Sequence, residues 1–226
     1  MTPKSTNRRP KPEHMTGTDD GVVAAHWESV WTSKAPEINS WFEASPTTSL
    51  ELIKRHAAPP RSAIDIGGGS SPLTRCLYQE GFRDLSVLDV SHAALTESRA
   101  NFADHSGDIT WIVADMNQWT PKRTYDIWHD RAAFHFLVAE EQVQRYAQTC
   151  GAAVAPGGLL VIGTFDLDGP ASCSGLPVQR RSISTLMACF ESDFVAIDAT
   201  ETTHITPSGT RQSFVFIAAR RMAPVE

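Results

Sequence analysis

Three aspartates, each placed at or near the end of an apolar run, have the types and spacing to hold a ligand. Asp65 lies within AIDIGGGSS (Ala63–Ser71), Asp89 closes LSVLD, and Asp115 follows TWIVA. Gly67, Gly68 and Gly69 come directly after the first, and a helix signal starts near Pro72, since proline is favoured in a first helical turn. A strand, a glycine turn and a helix in succession let backbone approach a ligand closely at the carboxyl edge of a sheet. Asp89 stands 22 residues after Gly67, where a carboxylate can accept two hydrogen bonds from ribose hydroxyls. Val90 beside it joins this set. Asp115 can accept from an adenine amino group, with Met116 packed on the ring. Asp65 itself is poorly placed beside a pyrophosphate and suits a ligand whose nearby end is cationic.

S-adenosylmethionine carries an ammonium and a sulfonium and no phosphate, whereas NAD carries a pyrophosphate, so these carboxylates favour the former. The chain resembles the class I S-adenosylmethionine-dependent methyltransferases, in which Asp/Glu-x-Gly-x-Gly-x-Gly is followed by an acid after the second strand and another after the third. Asp65, Gly67, Gly69, Asp89 and Asp115 match that pattern, and Ser71 stands where the last glycine is usual. The resemblance implies a Rossmann-like α/β fold, a doubly wound sheet of seven strands with helices on both faces. Those strands are mostly parallel, the last antiparallel. A non-catalytic module binding S-adenosylmethionine or NAD is the competing reading.

The substrate side is sought in YDIWHDRAAFHFL (Tyr125–Leu137), which should bring His129, Asp130 and Arg131 to the same carboxyl edge. His129 or His135 can act as a general base because imidazole titrates near neutral pH, and Asp130 can orient an amine or a histidine. His129 also counts among the residues facing the cofactor. The stretch resembles a bacterial subgroup of small methyltransferases, and only loosely the Asp-Lys-Gly-Thr stretch of eukaryotic protein-lysine methyltransferases. The Asn-Pro-Pro-Tyr-type tetrapeptide of amino-methyltransferases acting on adenine and glutamine is absent. Trp27 and Trp31 are spaced as in thiopurine-type S-methyltransferases. With Trp41 and Phe42 they suit a lid, since aromatic faces attract a sulfonium. Trp41, Phe42, Arg131 and Cys173 are the expected substrate contacts. The expected activity is methyl transfer to sulfur, oxygen or nitrogen of a small molecule, with protein-lysine methylation as the alternative.

The elements that must position these residues alternate. Strands are predicted at 63–66, 85–88, 110–113, 126–128 and 159–163, with helices at 73–80, 93–102 and 140–154 between them. Such alternation argues for a parallel sheet covered on both faces. Residues 164–181 are predicted to be a long loop, followed by a helix at 183–190. Strands at 194–199 and 212–219 close the chain as an antiparallel pair about a turn with Pro207 and Gly209. Residues 1–20 read as a disordered tail, and 21–226 as one domain with lid helices over 21–57. The 226 residues have 41% hydrophobic and 20% charged composition and a net charge of -6. That is ordinary for a soluble globular protein and argues against nucleic acid as a partner. No apolar run reaches membrane-span length, no cysteine pair or histidine spacing suggests a metal, and reduced thiols suit a cytoplasmic protein. The sequence leaves the oligomeric state open.

Overall fold

A computed structural model describes residues 20–33, 36–59, 61–70 and 72–223. The expected tail lies, apart from Asp20, outside the described residues, and so does Ser71. The sheet-forming strands are β1 (Ser62–Ile66), β2 (Asp84–Asp89), β3 (Ile109–Val113), β4 (Tyr125–Arg131), β5 (Val154–Phe165), β8 (Phe194–Ile205) and β9 (Arg211–Arg221). They form one sheet in the order β3-β2-β1-β4-β5-β9-β8. Neighbours from β3 to β5 pair in parallel, and β9 runs antiparallel to both β5 and β8. Six strands therefore point one way and the last strand the other, as expected.

Two findings extend the sequence reading. The segment expected to be only a loop contains a short ladder of β6 (Ser172–Cys173) with β7 (Leu176–Pro177). Ser174 and Gly175 turn it with φ of 50° and 82°, the twist that two-residue hairpins favour. The strand β8 also extends to Ile205, well past the expected end, because its partner β9 continues opposite it.

Helices cover both faces and bury separate apolar clusters. On one face α5 (Glu140–Ala153) and α6 (Ile183–Ala188) pack Val143, Tyr146 and Leu186 over Ile64, Trp128 and Ile162. On the other, α2 (Thr47–His56), α3 (Leu73–Gln79) and α4 (His92–Phe102) pack Leu52, Leu77 and Leu95 over Val87, Ile127 and Val161. The chain changes sides between β1 and β4, which are adjacent in the sheet. At such a switch point the connections diverge and leave a crevice at the carboxyl edge.

The β4 strand sorts its residues between these faces. Trp128 and Asp130 turn toward α5, whereas His129 and Arg131 turn the other way. Asp130 is fully buried. Its Oδ1 accepts from the amides of Ala133 and Phe134 at 3.1 and 3.0 Å, and its Oδ2 accepts from the Tyr146 hydroxyl at 2.7 Å. The same hydroxyl accepts from Trp128 Nε1 at 2.9 Å. Burial pushes the Asp130 carboxyl up to about 6, opposed by the Tyr146 hydroxyl and the two amides. Asp130, expected at the site, is thus corrected to a residue that fixes the turn after β4. Tyr146→Phe strips a donor from Asp130 and an acceptor from Trp128. Each orphaned buried group costs about 1–3 kcal/mol, so the variant should melt several degrees lower with an unchanged circular dichroism spectrum. An unaltered melting temperature would refute this role.

Candidate functional site

The crevice at the switch point is built around Asp65, which is 4% exposed. Its Oδ1 lies 2.7 Å from His129 Nδ1, and the other ring nitrogen, Nε2, lies 2.8 Å from the Ser49 hydroxyl on α2. Both imidazole nitrogens are thereby engaged, so His129 orients the carboxylate instead of standing free as a base. Asp65 Oδ2 is buried and has no hydrogen-bond partner among the described residues. The turn beyond it needs its glycines. Gly67 and Gly69 have φ of 62° and 40°, and a Cβ on Gly68 would meet Asp65 Oδ2 at 2.9 Å and Val87 at 2.6 Å.

Asp89 ends β2 beside this turn and is 7% exposed. Burial pushes its carboxyl up to about 6; the amides of Ser91 and Gly69 pull it down and neighbouring Asp65 raises it further. The Ser91 amide donates to Asp89 Oδ1 at 2.8 Å. After β3, Asp115 is half-buried and its Oδ1 accepts from the Asn117 amide at 2.8 Å, while Met116 packs on the core edge. Val90 is half-buried between Asp89 and Ser91. An Asp65 oxygen that is buried and unpaired among the described residues, glycine backbone that admits close approach, and a second buried carboxylate on Asp89 fit S-adenosylmethionine. The unpaired oxygen would instead repel a pyrophosphate.

The helix α1 (Asp20–Ser33) lies across this edge. A Cβ on Gly69 would fall 2.7 Å from the Trp31 ring, so the indole packs directly on the turn. Glu28, one turn earlier, accepts from the Ser91 hydroxyl at 2.7 Å and from the Ala93 amide at 3.2 Å. These two donors hold its carboxyl below the usual range. Trp27 meets Trp41 and Phe136 edge to face, with centroids 5.8 and 5.0 Å apart. The cavity left beside Asp65 is about 50 Å³, with Trp31, Trp41, Phe42 and Glu43 in its wall. Sequence reasoning missed Glu28, Ser49, Ser91 and Glu43. Only Glu28 carried a signal, a carboxylate one helical turn before Trp31.

Of the expected substrate contacts, Trp41, Phe42 and Arg131 line this cavity. Arg131 reaches the Trp41 carbonyl at 2.9 Å and Glu43 Oε1 at 2.8 Å, and its guanidinium lies over the Phe214 ring. Cys173 is buried beside Ser174 and outside the cavity wall. His135 is fully buried against Phe165, with neither ring nitrogen paired among the described residues. Burial, then the cations Arg131 and Arg181, push it down to about 3. It stays neutral near neutral pH and lies outside the cavity wall, which corrects its expected place at the reacting centre.

Residues 63–158 match the family model described as a methyltransferase domain. The human eEF1A lysine and N-terminal methyltransferase is 22% identical over 161 residues, covering 70% of this chain and 22% of that protein. The chain therefore spans about a fifth of the length of that relative. The N-methyltransferase NodS from Bradyrhizobium japonicum, solved with S-adenosylhomocysteine, superposes with a TM-score of 0.66 at 17% identity, covering 86% of this chain and 97% of that one. The 1,6-didemethyltoxoflavin-N1-methyltransferase of Burkholderia thailandensis gives a TM-score of 0.67 at 18% identity, covering 90% and 86%. At such identities the structural likeness speaks for the fold. Together with the matched methyltransferase domain, the strand order and acid pattern described above make the chain similar to the class I S-adenosylmethionine-dependent methyltransferases.

Proposed function

We propose that the protein transfers a methyl group from S-adenosylmethionine to a small-molecule nucleophile by in-line displacement. The observation that carries this reading is Asp65 Oδ2, a buried carboxylate oxygen without a partner among the described residues, at the wall of the crevice. Left alone it is costly, and a ligand ammonium would satisfy it. Asp89 would accept the ribose hydroxyls, with Val90 beside it, and Asp115 with Met116 would meet the adenine edge. Trp31, Trp41 and Phe42 would roof the site and exclude water. When bound, the cofactor supplies a methyl group already activated by a sulfonium. The chain's task is then to hold the acceptor in line, the proximity term of catalysis. That His129 is engaged at both nitrogens agrees with a site that relies on positioning more than on a histidine base.

Protein-lysine methylation is the second reading, motivated by the eEF1A-directed relative. The aspartate likened to the lysine-enzyme stretch, Asp130, turns into the core and lends that reading no site residue. Labelled cofactor added to a lysate separates the two: transfer to protein bands would favour the second reading, transfer to the small-molecule fraction the first.

Asp65→Asn should weaken S-adenosylmethionine binding about ten- to a hundredfold, the value of one hydrogen bond to a charged group. Calorimetry reads this, and unchanged affinity would remove the proposed role of Asp65. Because Asp89 titrates at about 6, it loses its charge as the pH falls. Affinity should therefore decline below about pH 6, and Asp89→Asn should flatten that decline. Its effect on stability has the opposite sign. A carboxyl raised from 3.8 contributes stability that is present at low pH and is lost as pH rises through about 6. A cavity of about 50 Å³ is far smaller than the ~300–1,000 Å³ typical of ligand sites, so α1 must shift to admit a nucleoside. Glu28→Ala removes the anchor of α1 and should speed association severalfold in stopped-flow tryptophan fluorescence. Equal rates in the two proteins would show that α1 does not gate entry.

A further inference from the structure

A second cavity, about 480 Å³, adjoins the cofactor crevice. The two share Phe42 and Glu43 in their walls. It sits where the β8–β9 hairpin rises past the carboxyl edge of the sheet, opposite the start of α2. Its size is that of a single small molecule, and a ligand lying in it would touch Glu43 at the boundary with the crevice.

Its chemistry is one-sided. Ser45, Thr47, Thr48, Thr202 and Thr203 supply hydroxyls, and Glu37 and Glu43 supply carboxylates. No lysine or arginine lines it among the described residues. Arg131 stands on the crevice side and takes Glu43 Oε1, and Arg211 reaches the Thr203 hydroxyl at 3.5 Å. A third acceptor stands in the same wall. His204 is 7% exposed, and its Nε2 contacts the Ser40 carbonyl at 2.8 Å, so that nitrogen carries the proton. Its Nδ1 lies 3.6 Å from Glu43 Oε1, beyond hydrogen-bond reach. A ring nitrogen and a carboxylate thus converge on the cavity, the carboxylate met by Arg131 from the crevice side.

We infer that this cavity is the acceptor site and that it takes a small hydroxylated amine, held with its nitrogen at Glu43 and His204. A bound ammonium would make a charge-assisted hydrogen bond to the Glu43 carboxylate, which Arg131 meets only at Oε1, and would reach His204 Nδ1; passing one proton to that nitrogen would free the lone pair that takes the methyl group. The five hydroxyl side chains suit a polar, hydroxyl-bearing body better than an aromatic or acyl one. Anionic acceptors meet two carboxylates, Glu37 at the rim and Glu43 at the inner wall, and are disfavoured. The inference rests on the methyltransferase reading and narrows its acceptor to nitrogen.

The test is binding to the full chain saturated with S-adenosylhomocysteine, followed by calorimetry. Glucosamine and glucose differ only in the amine, as do ethanolamine and ethylene glycol. The amine of at least one pair should bind saturably, and its hydroxyl twin at least about tenfold more weakly. Glu43→Gln should erase that difference, and His204→Phe should weaken the amine severalfold with unchanged S-adenosylhomocysteine affinity. Equal binding of amine and hydroxyl twins, no binding by either amine, or a Glu43→Gln protein that still discriminates would overturn the inference. Failure of S-adenosylhomocysteine itself to bind would instead strike the cofactor reading. The amine titrations would then be run on the free protein, where the same contrast is required.

Discussion

Two carboxylates buried side by side, Asp65 and Asp89, set the terms for everything around them. Both lie at the carboxyl ends of adjacent parallel strands, and both are almost sealed from water. Removing a carboxylate from water costs several kcal/mol unless partners replace the lost hydration. The fold recovers part of that cost through His129 on Asp65 and through the Ser91 and Gly69 amides on Asp89. What is left over, one oxygen on Asp65 unpaired among the described residues and an Asp89 carboxyl displaced upward to about 6, is unfavourable charge that a cationic nucleoside would relieve. Stability given up in the free protein returns as affinity when such a ligand arrives.

The sheet topology makes this possible. Parallel strands bring successive carboxyl ends to one edge, and the reversal between β1 and β4 opens that edge by sending α3 and α5 to opposite faces. The two-residue period of β1 and β4 then decides which side chains serve the crevice. Asp65 and His129 are register partners on neighbouring strands and share a face. Asp130, one residue on, is thrown to the other face, where Tyr146 receives it. A one-residue slip of β4 would exchange the two sets, so the buried Asp130–Tyr146–Trp128 network also protects the geometry of the site.

This sorting also explains what could be read from the sequence. The alternation of apolar runs and helical stretches is a local signal, and it marked every sheet strand, although short of the full extent of β5 and β8. Asp65, Asp89 and Asp115 were legible because strand ends and glycine turns fix their neighbourhood within a few residues. His129, Asp130 and His135 were not separable from one another in the same way. Strand period alone separates His129 from Asp130, but which face looks into the crevice depends on where α2 and α5 pack. The partner of His129, Ser49, comes from α2, and Glu43 matters through Arg131 and His204, which lie on two other strands. Contacts made across such sequence distances leave no periodic trace.

Ser91 carries the coupling between the cofactor edge and its roof. Its amide donates to Asp89, its hydroxyl donates to Glu28 on α1, and the same hydroxyl accepts from the Ala94 amide in the first turn of α4. One residue therefore joins Asp89, the helix α1 and the helix that follows β2. A ligand that draws Asp89 toward its hydroxyls acts on the amide of Ser91, and through that residue on the anchor of α1. Opening α1, in turn, leaves the Ser91 hydroxyl and the Ala93 amide without their acceptor, a cost that water can meet at this half-exposed edge. Helix α1 is thus held by hydrogen bonds that solvent could replace, whereas Asp65 and Asp130 are held by buried ones.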